Sequence, residues 1–143
     1  MIDLHPYCLT DPNMKRYDIS MPWIQGGWQY ATDGVIALRQ KADGQPDTLQ
    51  SDVSPRLRDW IPERYFSKPA SCTEPWPDPL ADFDTMIGCR NIAGKYALMI
   101  RKLGDVKYDP AGDKNDHLCF MAAGGLEGVV MPLRQEEGGK WQT

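Results

Sequence analysis

Long apolar runs are missing from this sequence. No stretch approaches the ~20 consecutive apolar residues that a membrane-spanning helix needs, and the opening Met1-Ile2-Asp3-Leu4-His5-Pro6 has no basic region followed by an apolar one. Neither a span nor a secretory leader is expected, so the chain is read as cytoplasmic, with no membrane partner. Histidine is scarce: His5 and His117 are the two in 143 residues, and neither has a nucleophile or ligand beside it in sequence. His117 stands at the start of an expected strand, where a structural role is the ordinary outcome. The four cysteines, Cys8, Cys72, Cys89 and Cys119, are scattered and form none of the close pairs that build zinc sites or thiol redox motifs. Free, mostly buried thiols in a reducing compartment follow. Excess positive charge is also absent, since 16 Lys and Arg against 20 Asp and Glu leave a net charge of −4. That excludes a surface gripping nucleic acid all over and leaves room for a local basic stripe. Glycine-rich phosphate loops, nucleophile elbows and paired zinc-ligand motifs are missing too. The acidic residues Asp78, Asp82 and Asp84 lack the glycine and terminal glutamate of a calcium loop and read as a solvated loop rather than a cation site. No catalytic residue, metal or cofactor is expected, and the chain reads as a non-enzyme.

What is present fits one domain over residues 1–143. The apolar fraction of 41% can supply a core, and twelve prolines with thirteen glycines predict long connections. Residues 1–14 read as an irregular arm. Tyr17, Ile19 and Met21 alternate with polar neighbours as in a strand. Gly26-Gly27 marks a turn, 28–31 a second strand, Asp33-Gly34 a tight turn and 35–38 a third strand, giving an antiparallel meander. Residues 40–53 are loop-like. Ser54-Pro55 predicts the start of a short helix with Leu57, Trp60 and Ile61 on one face, limited by Pro62. Residues 67–82, with prolines at 69, 75, 77 and 79, read as a connection between two halves. Beyond it, 83–89 predicts a strand and Asn91 a helix cap, with Ile92, Tyr96, Met99, Ile100 and Leu103 at helical spacing before a stop at Gly104. Strands follow at 106–108, 117–121 and 126–133, with turns at 109–112 and Gly124-Gly125, and 135–143 reads as a flexible tail. The expected fold is α+β: two strand-rich halves with antiparallel sheets, each gathered around one helix.

Three segments, in this order, resemble the bacterial sliding clamp, the ring that tethers the replicative polymerase to DNA. Trp28-Gln29-Tyr30-Ala31-Thr32-Asp33-Gly34-Val35-Ile36-Ala37-Leu38 is similar to the clamp's strand-turn-strand element, in which Ala-Thr-Asp-Gly precedes His-Arg-Leu. Residues 91–103 sit where the family's last helix sits, with Tyr96 at a corresponding tyrosine. Val129-Val130-Met131-Pro132-Leu133-Arg134 is nearly the family's chain end, Val-Val-Met-Pro-Met-Arg. Together these cover about half of the chain. A clamp chain has three such domains and this length has room for one, while Val35 and Ile36 replace the expected histidine and arginine. The resemblance implies a reduced, single-domain clamp-like protein of phage or mobile-element kind.

It also implies two sites. The turn and the terminal string would line an apolar cleft for the clamp-binding peptides of polymerases and repair proteins, made here by Thr32, Gly34, Val35, Ile36, Val130, Met131, Pro132 and Leu133. Met131 would adapt its shape and Pro132 would suit an edge strand; the alternative is that Ile36, Val130 and Met131 are ordinary strand core. Arg56, Arg58 and Arg64 around the first helix, with Arg90, Lys95, Arg101 and Lys102 around the second, would meet double-stranded DNA through its phosphates. Solvated helix faces are the alternative there. One domain cannot encircle a duplex, so DNA clamping would require a closed homo-oligomer. The two function classes are therefore a processivity-type accessory of DNA replication or repair and a monomeric adaptor or inhibitor that binds partner proteins without encircling DNA.

Overall fold

Side-chain alternation sorts the central strands onto two faces of one sheet. The computed structural model describes residues 2–8, 21–48, 64–66, 69–78 and 83–135. Within these, β1 (Trp23–Gln25), β2 (Trp28–Thr32) and β3 (Ile36–Lys41) form the antiparallel meander expected around Gly26-Gly27 and Asp33-Gly34. Its first strand lies at 23–25, its third runs on to Lys41, and the strand expected over 17–21 falls, apart from Met21, outside the described residues. The helix expected over 54–61 also lies outside them.

The sheet does not stop at the meander. β9 (Glu127–Val130) pairs antiparallel with β3, from Ile36↔Val130 to Arg39↔Glu127. β8 (Leu118–Met121), β7 (Lys107–Tyr108) and β4 (Glu74–Pro75) extend it to seven strands in the order β1-β2-β3-β9-β8-β7-β4. β5 (Thr85–Ile87) and β6 (Arg90–Ile92) make a separate two-stranded hairpin, followed by α1 (Gly94–Arg101). The protein is a mixed α/β fold, rich in antiparallel strands, with one α-helix among the described residues. Strands from before and after the proline-rich stretch share one sheet.

Two local expectations change. The 67–82 stretch carries β4, and its Trp76 is buried, with the indole N–H donating to the Ala97 carbonyl of α1 at 3.1 Å. An aromatic between prolines is here a core anchor. Asn91 and Ile92 belong to β6, so Asn91 does not cap the helix; Ala93 holds that position without a side-chain bond, and the Gly94 N–H instead donates to Asp84 Oδ1 at 3.2 Å. Gly94, Ala97 and Ile100 are the helical face turned inward.

The core on the helix side joins Ile36 and Leu38 of β3, Leu118 and Phe120 of β8, Val130 of β9, Ile87, Ile92, Ala97 and Ile100. Each such side chain removed from water contributes about 1.5–3 kcal/mol before entropic costs. The opposite face carries Trp23, Tyr30, Ala37, Phe66, Cys119 and Val129. There Arg39 pairs with Glu127 across β3 and β9 at 2.8 Å, with its guanidinium 4.1 Å from the Trp28 ring centroid and 4.5 Å from that of Phe66. The pair is nearly buried, so it pins register more surely than it adds stability.

Candidate functional site

The turn that opens β3 is held by its own side chains. Asp33 Oδ1 accepts the N–H groups of Val35 at 2.9 Å and Ile36 at 3.0 Å. The Thr32 hydroxyl donates to the Ile36 carbonyl at 2.7 Å and accepts the Gly34 N–H at 3.0 Å. Gly34 adopts φ 98°, a conformation that strains residues with a side chain. The second oxygen of Asp33 accepts the Tyr96 hydroxyl at 2.6 Å, which ties the turn to α1. Burial first, then the hydrogen bond to Asp33 and its charge, push the Tyr96 pKa up, so the phenol remains a donor.

The terminal string meets this turn. Met131 N–H donates to the Val35 carbonyl at 2.9 Å, continuing the β3–β9 ladder one step past Ile36↔Val130. Because successive strand side chains point to opposite faces, Ile36 and Val130 enter the core at 0% exposure each, while Val35 and Met131 face out at 37% and 46%. Two residues on, Leu133 N–H donates to the Asn91 carbonyl at 2.8 Å, and Asn91 stands opposite both Leu133 and Met86. Leu133 is 39% and Met86 54% exposed. The result is a row of exposed apolar side chains, Val35, Met131, Leu133 and Met86, that joins the large sheet to the β5–β6 hairpin. Val35 and Met131 are direct cross-strand neighbours, while Asn91 stands between Leu133 and Met86; exposed apolar residues gathered in this way, unlike single ones, mark surfaces that other molecules cover.

The eight residues expected to line a peptide cleft therefore divide. Thr32 and Gly34 build the turn, Val35, Met131 and Leu133 face out, and Pro132 is half-buried between them. Ile36 and Val130 are core and leave the set, because the pleat turns them inward. Met86 was not expected to join; its signal was a lone apolar residue on the outward parity of a strand whose neighbours Thr85 and Ile87 face the other way.

No family model, curated protein or solved structure matches the chain. The fold brings the three strings into contact, through Met131 N–H to the Val35 carbonyl, the Tyr96 hydroxyl to Asp33 and Leu133 N–H to the Asn91 carbonyl.

The basic residues do not gather into a face. Arg56 and Arg58 lie outside the described residues, and Arg64 is exposed on a separate segment. Arg90 is 2% exposed: its Nε donates to the Asp116 carbonyl at 2.9 Å and its Nη2 to the Ala111 carbonyl at 2.6 Å. It organises the 109–117 loop from inside and presents no charge to DNA, which corrects its expected role. Arg101 is paired with Asp78. Lys95 and Lys102 remain exposed on α1, the former 5.3 Å from the Tyr96 ring centroid. The acidic residues disperse as well, Asp78 to Arg101 and Asp84 to the start of α1, while Asp82 is outside the described residues. Among the described residues no group of three His, Cys, Asp or Glu could hold a metal ion, and no helix is long and apolar enough to cross a membrane. Three cysteines, Cys8, Cys72 and Cys119, are buried and Cys89 is exposed; burial is the leading cause that pushes the Cys8 and Cys72 thiols up to about 11. His117 packs its ring 5.6 Å from that of Tyr65.

Proposed function

We propose that this chain is a cytoplasmic, non-enzymatic, clamp-like accessory of DNA replication or repair, and that it works by holding short apolar segments of partner proteins on the row formed by Val35, Met131, Leu133 and Met86. The observation that carries the reading is the Met131–Val35 hydrogen bond. It joins segments almost a hundred positions apart in sequence and leaves their side chains in solvent. Met131 and Met86 bring unbranched, polarisable side chains that reshape around a ligand, and the Tyr96–Asp33 bond holds the turn beneath them in place.

The adaptor that binds proteins without encircling DNA is the second reading, and one observation favours it. Burial of Arg90 and pairing of Arg101 leave the α1 region with Lys95 and Lys102 as its unpaired cations among the described residues, too sparse a charge for the steep salt dependence of duplex binding. The test is fluorescence anisotropy with a labelled clamp-binding peptide against wild type and Met131→Asp. The account expects saturable binding that weakens at least about tenfold, or ~1.4 kcal/mol, in the variant. Equal binding by a folded Met131→Asp protein, or no binding by wild type, removes the surface as the site. A labelled DNA duplex under the same conditions separates the classes, since tight salt-dependent binding restores the DNA-holding one.

A further inference from the structure

Among the described residues, the two edges of the large sheet are protected and the edge of the hairpin is not. β4 carries Pro75, which offers no N–H to a neighbour. β1 is covered by the 47–48 segment: Thr48 N–H donates to the Ile24 carbonyl at 2.9 Å, Ile24 N–H to Thr48 Oγ1 at 2.8 Å, and Gly26 N–H to Asp47 Oδ1 at 3.0 Å. Among the described residues, β5 has neither device. Its sequence, Thr85-Met86-Ile87, holds no charge and no proline, the usual guards of an open edge.

Strand register shows which groups β5 presents. Gly88 and Cys89 are a two-residue hairpin loop, so the flanking Ile87↔Arg90 pair exchanges hydrogen bonds, Met86↔Asn91 does not, and Thr85↔Ile92 does. An independent contact agrees: the Asn91 carbonyl accepts from Leu133 N–H, so the Asn91 backbone points away from β5. The Met86 N–H and C=O must then point away from β6, toward the free side, and no described residue bonds them. Of the large apolar side chains exposed among the described residues, Phe83 at 72% and Met86 at 54% are two of the three most exposed; Met86 lies in β5 and Phe83 two residues before it.

We infer that the β5 edge is a strand-addition site, which takes an extended, uncharged partner segment that pairs with the Met86 backbone and sets an apolar side chain beside Met86, in line with Leu133 and Met131. The inference rests on the proposed protein-binding surface and adds to it a binding mode and a ligand class: a backbone with a free N–H and C=O in extended form, apolar at alternate positions. Main-chain bonds supply the grip in such pairing and the alternate side chains supply selectivity. Met86 belongs to both the edge and the apolar row.

The test uses the labelled clamp-binding peptide in two forms, unmodified and with alternate backbone nitrogens methylated. In the free protein, the Met86 amide should exchange with solvent faster than those of Thr85 and Ile87. Unmodified peptide should slow the Met86 exchange at least tenfold, and the methylated form should bind at least tenfold more weakly. Met86→Pro removes the outward N–H without removing a bond to β6, and should weaken binding to a similar degree; the exchange measurement on wild type decides the matter should that variant not fold. Peptide binding that is lost in Met131→Asp but leaves Met86 exchange unchanged, with the methylated peptide binding equally well, overturns strand addition and keeps the surface. No binding by wild type overturns both.

Discussion

Gly128 lies in β9 between Leu38 of β3 and Phe120 of β8, its partners in register. A Cβ at this position would stand 2.8 Å from Leu38 Cδ2 and closer still to the Phe120 ring. Neither can retreat, because Leu38 is 0% and Phe120 1% exposed. Overpacking a filled core costs about 1–3 kcal/mol, partly offset by the about 0.5–1 kcal/mol that alanine gains over glycine by losing less backbone freedom on folding. The difference spans about 0–2.5 kcal/mol, and contact with both the Phe120 ring and Leu38 puts Gly128→Ala near its upper end, a loss of about 2 kcal/mol, read as a lower urea midpoint at unchanged slope. Phe120→Leu opens space beside the new methyl, so the double variant should be more stable than the two single losses added together, with a coupling of about 1 kcal/mol. A neutral Gly128→Ala, or strictly additive losses, would refute the packing described for β9, the strand that delivers Met131 to the surface.

Further outcomes follow from the same geometry. Tyr96→Phe removes the bond to Asp33 and should cost about 1 kcal/mol. Since folding raises the Tyr96 pKa, the native state favours the neutral phenol; that contribution is complete below the ordinary tyrosine value of about 10 and is lost as pH climbs beyond it, so the variant's stability should fall less steeply than wild type's in alkaline urea titrations. Arg90→Lys loses the forked contact with two carbonyls and should cost about 2 kcal/mol, with faster amide exchange in 109–117; unchanged stability would contradict the buried role. Native protein treated with a thiol reagent at pH 8 should modify Cys89 quickly and the buried cysteines only after denaturation; rapid reaction of a second thiol would contradict the burial pattern.

The second and third strands of the meander were legible because their signals agree: alternation at 28–31, glycine turns at both ends, and Asp33 placed to bond its own turn; the strand at 23–25 was not. The final strands were legible for the same reason. The β5–β6 hairpin was not, because Asn91 followed by apolar residues at helical spacing looks like a capped helix, and the choice between cap and strand is made by tertiary contacts, Asn91 with Leu133 and Gly94 with Asp84. Nor could local pattern reveal that Arg90 would turn inward, since its partners are backbone carbonyls more than twenty positions away. The candidate site was half readable. The sequence strings named two of its three segments and missed Met86, and the division between inward Ile36 and Val130 and outward Val35 and Met131 depends on register, which appears only once β3 meets β9.

The most direct measurement is methyl NMR of methionine-labelled protein titrated with the clamp-binding peptide. The account predicts large shifts for the methyl groups of Met131 and Met86, which face solvent on the apolar row, and little change for the half-buried Met99 and Met121. Shifts confined to Met99 or Met121, or a silent Met131 while the peptide is bound, would contradict it.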